Sequence, residues 1–174
     1  ELNIGFFKNI LGGIIRNIHF DEVNVIISVS EANNTWDAFN LGVLAGRINE
    51  YTDITNVSVS GNISVTSSYS GDIGGIAGET NRVTMDKIES DISISAQGRV
   101  GGIVGRSYES TFTNVYANVS LQVKKESYIG GLFGEISSSK LSNAYTTGII
   151  TLPDNLQNVY GYGSIAGYAW SNTV

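Results

Sequence analysis

Cysteine is absent from this chain, proline and histidine occur once each, and ten basic residues face sixteen acidic ones. Without cysteine there are neither disulfides nor thiolate metal sites, so a sizeable core must hold the chain together. That fits a bacterial cell surface or a cytosol better than a small secreted animal module. The single histidine, His19, stands between Ile18 and Phe20, and no HExxH phrase occurs, so this segment cannot build a zinc protease site alone. His19 is expected to be a structural, packed or solvent-facing side chain. Only Lys124-Lys125 are adjacent basic residues, and the net charge is -6, so nucleic acid is not an expected partner. Apolar stretches such as Asn9 to Ile18 are broken by Gly and Arg, short of the ~18 residues a membrane span needs. The chain opens on Glu1 without a charged and apolar leader, and reads as a piece of something longer.

Glycine, in contrast, is plentiful at 21 residues, and it recurs in one phrase. The copies are Leu41-Gly42-Val43-Leu44-Ala45-Gly46, Ile73-Gly74-Gly75-Ile76-Ala77-Gly78, Val100-Gly101-Gly102-Ile103-Val104-Gly105, Ile129-Gly130-Gly131-Leu132-Phe133-Gly134 and Tyr162-Gly163-Ser164-Ile165-Ala166-Gly167. The closing glycines are 32, 27, 29 and 33 residues apart, and a degenerate copy, Asn3 to Lys8, precedes Gly46 by 38. Periods of this size mark solenoids, propellers or arrays. Few good helix formers accompany the many Ile, Val, Ser, Thr and Tyr residues, which favours strands.

Nine or ten residues beyond each closing position comes a second signal, at Asn17, Asn56, Lys87, Asn114 and Asn143, followed by an alternating run such as Ile92 and Ile94, or Val119, Leu121 and Val123. Alternation of apolar with polar residues is the period of a half-buried strand. Each repeat therefore predicts three short strands: one through the glycine phrase, one at the Asn step and one through the alternating run. The expected fold is all-β, a parallel β-solenoid of about six imperfect coils forming one domain over 1–174. Stacked at the spacing of neighbouring strands, the coils would span about 25 to 30 Å. Propeller blades need about 40 to 50 residues, which the shorter spacings exclude.

The glycines are expected at a sharp corner or a tight face where no Cβ fits. The Asn residues are expected to form a ladder of amides, interrupted by Lys87. Lys87, where the ladder breaks, is a candidate binding residue, and two further places break the repetition and are candidates for recognition. The insertion 31–40 carries Trp36 and Phe39, which would either cover a coil edge or contact a ligand. Tyr160, Tyr162, Tyr168 and Trp170 would cap the last coil or join it to a following segment, residues 160–174 being the expected cap or junction. Asp86, Glu89 and Asp91 lie close in sequence to Arg82, Lys87 and Arg99, but no carboxylate recurs at one repeat position, so a solvated strand is the expected role rather than glycoside chemistry. Nucleotide-binding and calcium-roll phrases are missing, and no cofactor or metal is expected.

This pattern resembles the GLUG repeat of bacterial surface proteins, through Gly131-Leu132-Phe133-Gly134, Gly102-Ile103-Val104-Gly105 and Gly75-Ile76-Ala77-Gly78 together with the Asn-Val and Asn-Ala-Tyr steps. The resemblance covers nearly the whole chain, with Lys8 and Val43 departing from it in the first two copies. It implies an adhesin-like, extracellular, non-catalytic module at the cell surface or wall, a spacer or a binding surface for a host or matrix protein or glycan. The opening Ile4-Gly5-Phe6-Phe7 through Ile14-Ile15-Arg16-Asn17-Ile18 is also similar in style to streptococcal zinc metalloproteases that cut immunoglobulin A1. On that alternative the segment positions the antibody for a catalytic site elsewhere in the parent chain.

Overall fold

The computed structural model describes residues 2–30, 39–123, 127–152 and 159–171, and all their regular structure is strand. In chain order the strands are β1 (Leu2–Ile4), β2 (Phe7–Val29), β3 (Phe39–Gly42), β4 (Ala45–Ser67), β5 (Gly71–Gly74), β6 (Ala77–Ala96) and β7 (Gly98–Gly101). They continue as β8 (Val104–Tyr108), β9 (Thr111–Val123), β10 (Ser127–Gly130), β11 (Phe133–Ser137), β12 (Lys140–Thr151), β13 (Val159–Gly163) and β14 (Ala166–Trp170). Every pairing is parallel, between equivalent segments of successive repeats. The chain is a parallel β-solenoid.

One sheet holds the six glycine strands in the order β1-β3-β5-β7-β10-β13. The second carries the return strands and the long outward-facing strands, β2 and β4 adding to β12-β9-β6-β8-β11-β14. The expected six coils are not all complete: among the described residues the Asn-bearing face has β2, β4, β6, β9 and β12. Residues 159–170 extend the two short faces by one rung, so over the described residues they continue the stack rather than fold across its end.

The division into three strands also shifts. A return strand follows each glycine turn directly, as Val104–Tyr108 does. The Asn step and the alternating run, expected as separate strands, form one strand such as Thr111–Val123, bent at Asn114. In the first three coils even the return strand merges with it, giving strands of 20 to 23 residues.

The bends fall where the backbone is left-handed. Asn17, Asn56, Lys87, Asn114 and Asn143 all have φ between 49° and 57°. Asn is among the few residues that accept this region readily, since its short amide can bond locally. The column expected only as a ladder is thus the corner of the coil. A second left-handed column lies between return and long strands, at Glu50 and Tyr51, Arg82, Glu109 and Ser138. There Ser110 and Ser139 complete the turn: Val83 N–H donates to Ser110 Oγ at 3.2 Å and Ser110 N–H donates to Ser139 Oγ at 3.1 Å. Arg82 Nε lies 2.7 Å from Glu109 Oε2 beside it, and that hydrogen bond, then the charge of Glu109, raises the arginine pKa above its usual value.

No glycine of the repeated phrase has such a φ. What those positions require is the missing side chain. A Cβ on Gly46 would stand 2.5 Å from Ile4 N, and one on Gly78 would stand 2.5 Å from Leu41 N and 2.7 Å from Asp72 O. The return strand therefore lies directly on the glycine strand of the preceding coil, closer than two side-chain-bearing sheets can come. Of the two roles expected for the glycines, the tight face is the one found.

Inward positions stack as continuous columns, for example Ile54, Met85, Phe112 and Leu141, each at most 5% exposed. The Phe112 and Phe133 rings meet edge to face at 4.7 Å. At the first rung the equivalent residues, among them Ile10, Ile15, Ile18 and Val25, are only partly buried, since none of the described residues stacks on their outer side. No helix of the described residues is long and apolar enough to cross a membrane, which leaves β-barrel spans unaddressed.

Candidate functional site

Two faces carry organised polar side chains. The first is the outward surface of the long strands. Because register advances one coil per rung, residues from distant repeats align into rows. One row runs His19, Ser58, Glu89, Tyr116 and Tyr145; beside it run Ser60, Asp91, Asn118 and Thr147. Hydrogen bonds link the rungs: His19 Nδ1 to Ser58 Oγ at 2.8 Å, Asn118 Nδ2 to Asp91 Oδ1 at 2.9 Å, and Thr147 Oγ1 to Asn118 Oδ1 at 3.0 Å. Tyr116 Oη and Thr147 Oγ1 are 3.2 Å apart, and the Tyr116 and Tyr145 rings lie 4.5 Å apart at 33°.

The Asn corner borders this face. Asn56 donates to Asn17 Oδ1 at 2.7 Å and Asn143 donates to Asn114 Oδ1 at 3.1 Å. Lys87 takes the third place with its side chain exposed, and Asn114 turns instead to Asp86 Oδ1 at 2.7 Å. The ladder breaks at Lys87 as expected, and its neighbour Asp86 starts the run that continues through Asn114 and Asn143.

The second face is a charged seam where the glycine strands meet the return strands. Arg47, Glu79, Arg106 and Glu135 occupy one position on successive rungs, alternating in sign. Arg47 Nη2 lies 2.7 Å from Glu79 Oε1. On the adjoining sheet Asp72, fully buried, receives Arg99 Nη1 at 2.9 Å, while Arg99 Nε reaches Glu135 Oε2 at 2.6 Å. Arg106 stands 4.6 Å over the Tyr108 ring. Arg99–Glu135 spans the two sheets, with 12% and 13% of the side chains exposed, while Arg47–Glu79 and Arg99–Asp72 tie successive or neighbouring rungs within one sheet. The sequence does carry the signal: one position past the first four closing glycines reads Arg47, Glu79, Arg106, Glu135.

Of the residues singled out in the sequence, Trp36 lies outside the described residues. Phe39, expected beside it at the surface, is completely buried at the start of β3. Its ring occupies the space that Gly71 leaves, where a Cβ would stand 2.5 Å away, so Phe39 belongs to the core and is not a ligand contact. The acidic and basic residues near 82–99 are separated: Arg82 turns to Glu109 at the corner and Arg99 to the seam, while Asp86, Glu89 and Asp91 stay on the outward face. Tyr160, Tyr162, Tyr168 and Trp170 are 47% to 65% exposed, with Tyr160 and Tyr168 packed beside Tyr128 at 5.8 and 5.5 Å. Among the described residues no three His, Asp or Glu gather closely enough to hold a metal ion.

No family model matches the chain, and neither a curated protein nor a solved structure matches it.

Proposed function

We propose that this chain is a non-catalytic, extracellular β-solenoid module of a bacterial surface protein, of the GLUG-repeat kind, acting as a rigid spacer and a binding surface for a host or matrix macromolecule. The observation that carries this reading is the outward face of the long strands, where side chains align in rows over four or five coils and rung-to-rung hydrogen bonds tie them in runs of two or three. A rigid surface of that kind loses little conformational entropy on binding.

Its place within a longer chain is supported by the first rung. There a hollow of about 290 Å³ is lined by Ile4, Phe6, Phe20, Val23, Val25, Leu41 and Val43, with Phe6 71% exposed. An open strand edge beside exposed core residues suits a further coil of the parent chain.

The test is direct binding of the purified chain to immunoglobulin A1, matrix proteins, and neutral and acidic glycans, with product analysis of each glycan. Saturable binding of one partner without its cleavage supports the module. Release of new reducing ends, or no binding to any of them, overturns it.

A further inference from the structure

Between the first and fourth rungs the outward rows dip. Ser58 and Ser60 are small, while Asp21 stands on one side and Tyr116 and Asn118 on the other. The result is a hollow of about 290 Å³ whose outer residues also include Glu89 and Asp91. That size lies near the lower limit of small-molecule sites, which start at about 300 Å³. The side chains of Asp21 and Glu89 make neither hydrogen bonds nor ion pairs with the described residues. Asp91 and Asn118 are already aligned by their mutual bond at 2.9 Å. Tyr116 is held by its contact with Tyr145, 4.5 Å away, and by Thr147.

We infer that this hollow and the tyrosine pair next to it form a row of subsites for a neutral, linear oligosaccharide lying along the coil axis. The inference rests on the reading of this face as a binding surface and names its ligand class. A pyranose presents an apolar C–H face and pairs of neighbouring hydroxyls, each hydroxyl both donor and acceptor. The hollow supplies the complement: the Tyr116 ring for the apolar face, carboxylates to accept, and the Asn118 amide and serine hydroxyls to donate. A lysine or arginine side chain would use the acceptors alone and leave those donors without purpose. Rungs repeat at about 4.8 Å, close to the rise of one sugar unit in an extended chain, so successive units meet successive rungs. The carboxylates of Asp21, Glu89 and Asp91 repel sulfated or carboxylated glycans, which is why the ligand is neutral.

The experiment titrates the folded chain, by calorimetry and by NMR of the tyrosine rings, with four probes: a β-linked glucose hexamer, a β-linked N-acetylglucosamine hexamer, its sulfated counterpart and hexalysine. A neutral hexamer is expected to bind, its sulfated form about tenfold or more weakly. Tyr116→Ala and Glu89→Gln should each weaken the neutral hexamer about tenfold, with Gln122→Ala as an unaffected control. Glu89, exposed and without a described partner, keeps the test independent of any folding defect in the tyrosine variant. Binding of hexalysine alone, binding of neutral hexamers undiminished by both substitutions, or no binding of either neutral hexamer overturns the inference. A chain that fails here yet still binds a purified host protein leaves the broader module reading standing.

Discussion

Asn143 donates its side-chain amide to Asn114 Oδ1 at 3.1 Å, and both residues hold a left-handed backbone, with φ of 49° and 54°. The same short amide serves two ends: it eases the bend within its own strand and ties that bend to the coil below. Lys87, at φ 56°, has neither advantage, since a long aliphatic stem gains nothing from the left-handed region.

Lys87→Asn should therefore stabilise the fold. The gain expected from relieving the backbone is about 1 kcal/mol, which raises the melting temperature by roughly 2 to 4 °C in a domain of this size. Lys87→Val should do the reverse, because a β-branched residue is poorly tolerated at positive φ. Thermal unfolding followed by circular dichroism checks both, and a lower melting temperature for the Asn variant would count against the corner assignment.

At Gly102 a Cβ would stand 2.5 Å from Val119 Cγ1 and 3.0 Å from Ala117 Cβ. Gly102→Val should cost about 3 kcal/mol or more, since the glycine turn must lift from the long strand β9 and from Gly131 of the next coil. Gly12 is a different case: its φ is 65° and its nearest obstacle, Glu50 O, is 3.5 Å away. Gly12→Asn should leave the melting temperature nearly unchanged, and similar losses at both sites would refute the tight-face role.

Asp72 is fully buried and pairs with Arg99 at 2.9 Å, with only 12% of the arginine side chain exposed. Arg99→Met removes that partner and should cost about 3 to 5 kcal/mol, the usual penalty for breaking a buried pair from one side. The double variant Asp72→Leu with Arg99→Met should recover much of the loss. Denaturant unfolding of the single and double variants measures the coupling, and a double variant that is merely additive would show that the two charges act independently.

Phe39→Ala should destabilise by about 3 to 5 kcal/mol through the cavity it opens beside Gly71. Affinity for any ligand of the outward face should not change in the fraction that remains folded. A loss of affinity without a loss of stability would restore Phe39 to the surface role its place in the insertion suggested.

Much of the architecture was legible because stacking repeats the same demand at the same position. Ile92 and Ile94 alternate with serines in the sequence and are 2% and 1% exposed in the fold. The glycine phrase announced a place without room for a Cβ. Its neighbours misled about the bend, which falls to Asn114 and its equivalents, because glycine suits both a left-handed turn and a close approach, and only geometry separates the two. Phe39 was misplaced since the end of an insertion and the start of a buried strand look alike when both are aromatic. The seam of Arg47, Glu79, Arg106 and Glu135 escaped notice for another reason. The charges do follow successive closing glycines in the sequence, but their distances of 27 to 32 residues hide an alternation that the rung register makes plain.

That alternation gives the solenoid a parity. Removing the single coil that carries Glu79 would set Arg47 over Arg106, and removing the one that carries Arg106 would set Glu79 over Glu135; each places like charges in an enclosed seam. Excising both together leaves Arg47 facing Glu135, opposite charges again. Along this seam the array can shorten by two coils at a time more readily than by one.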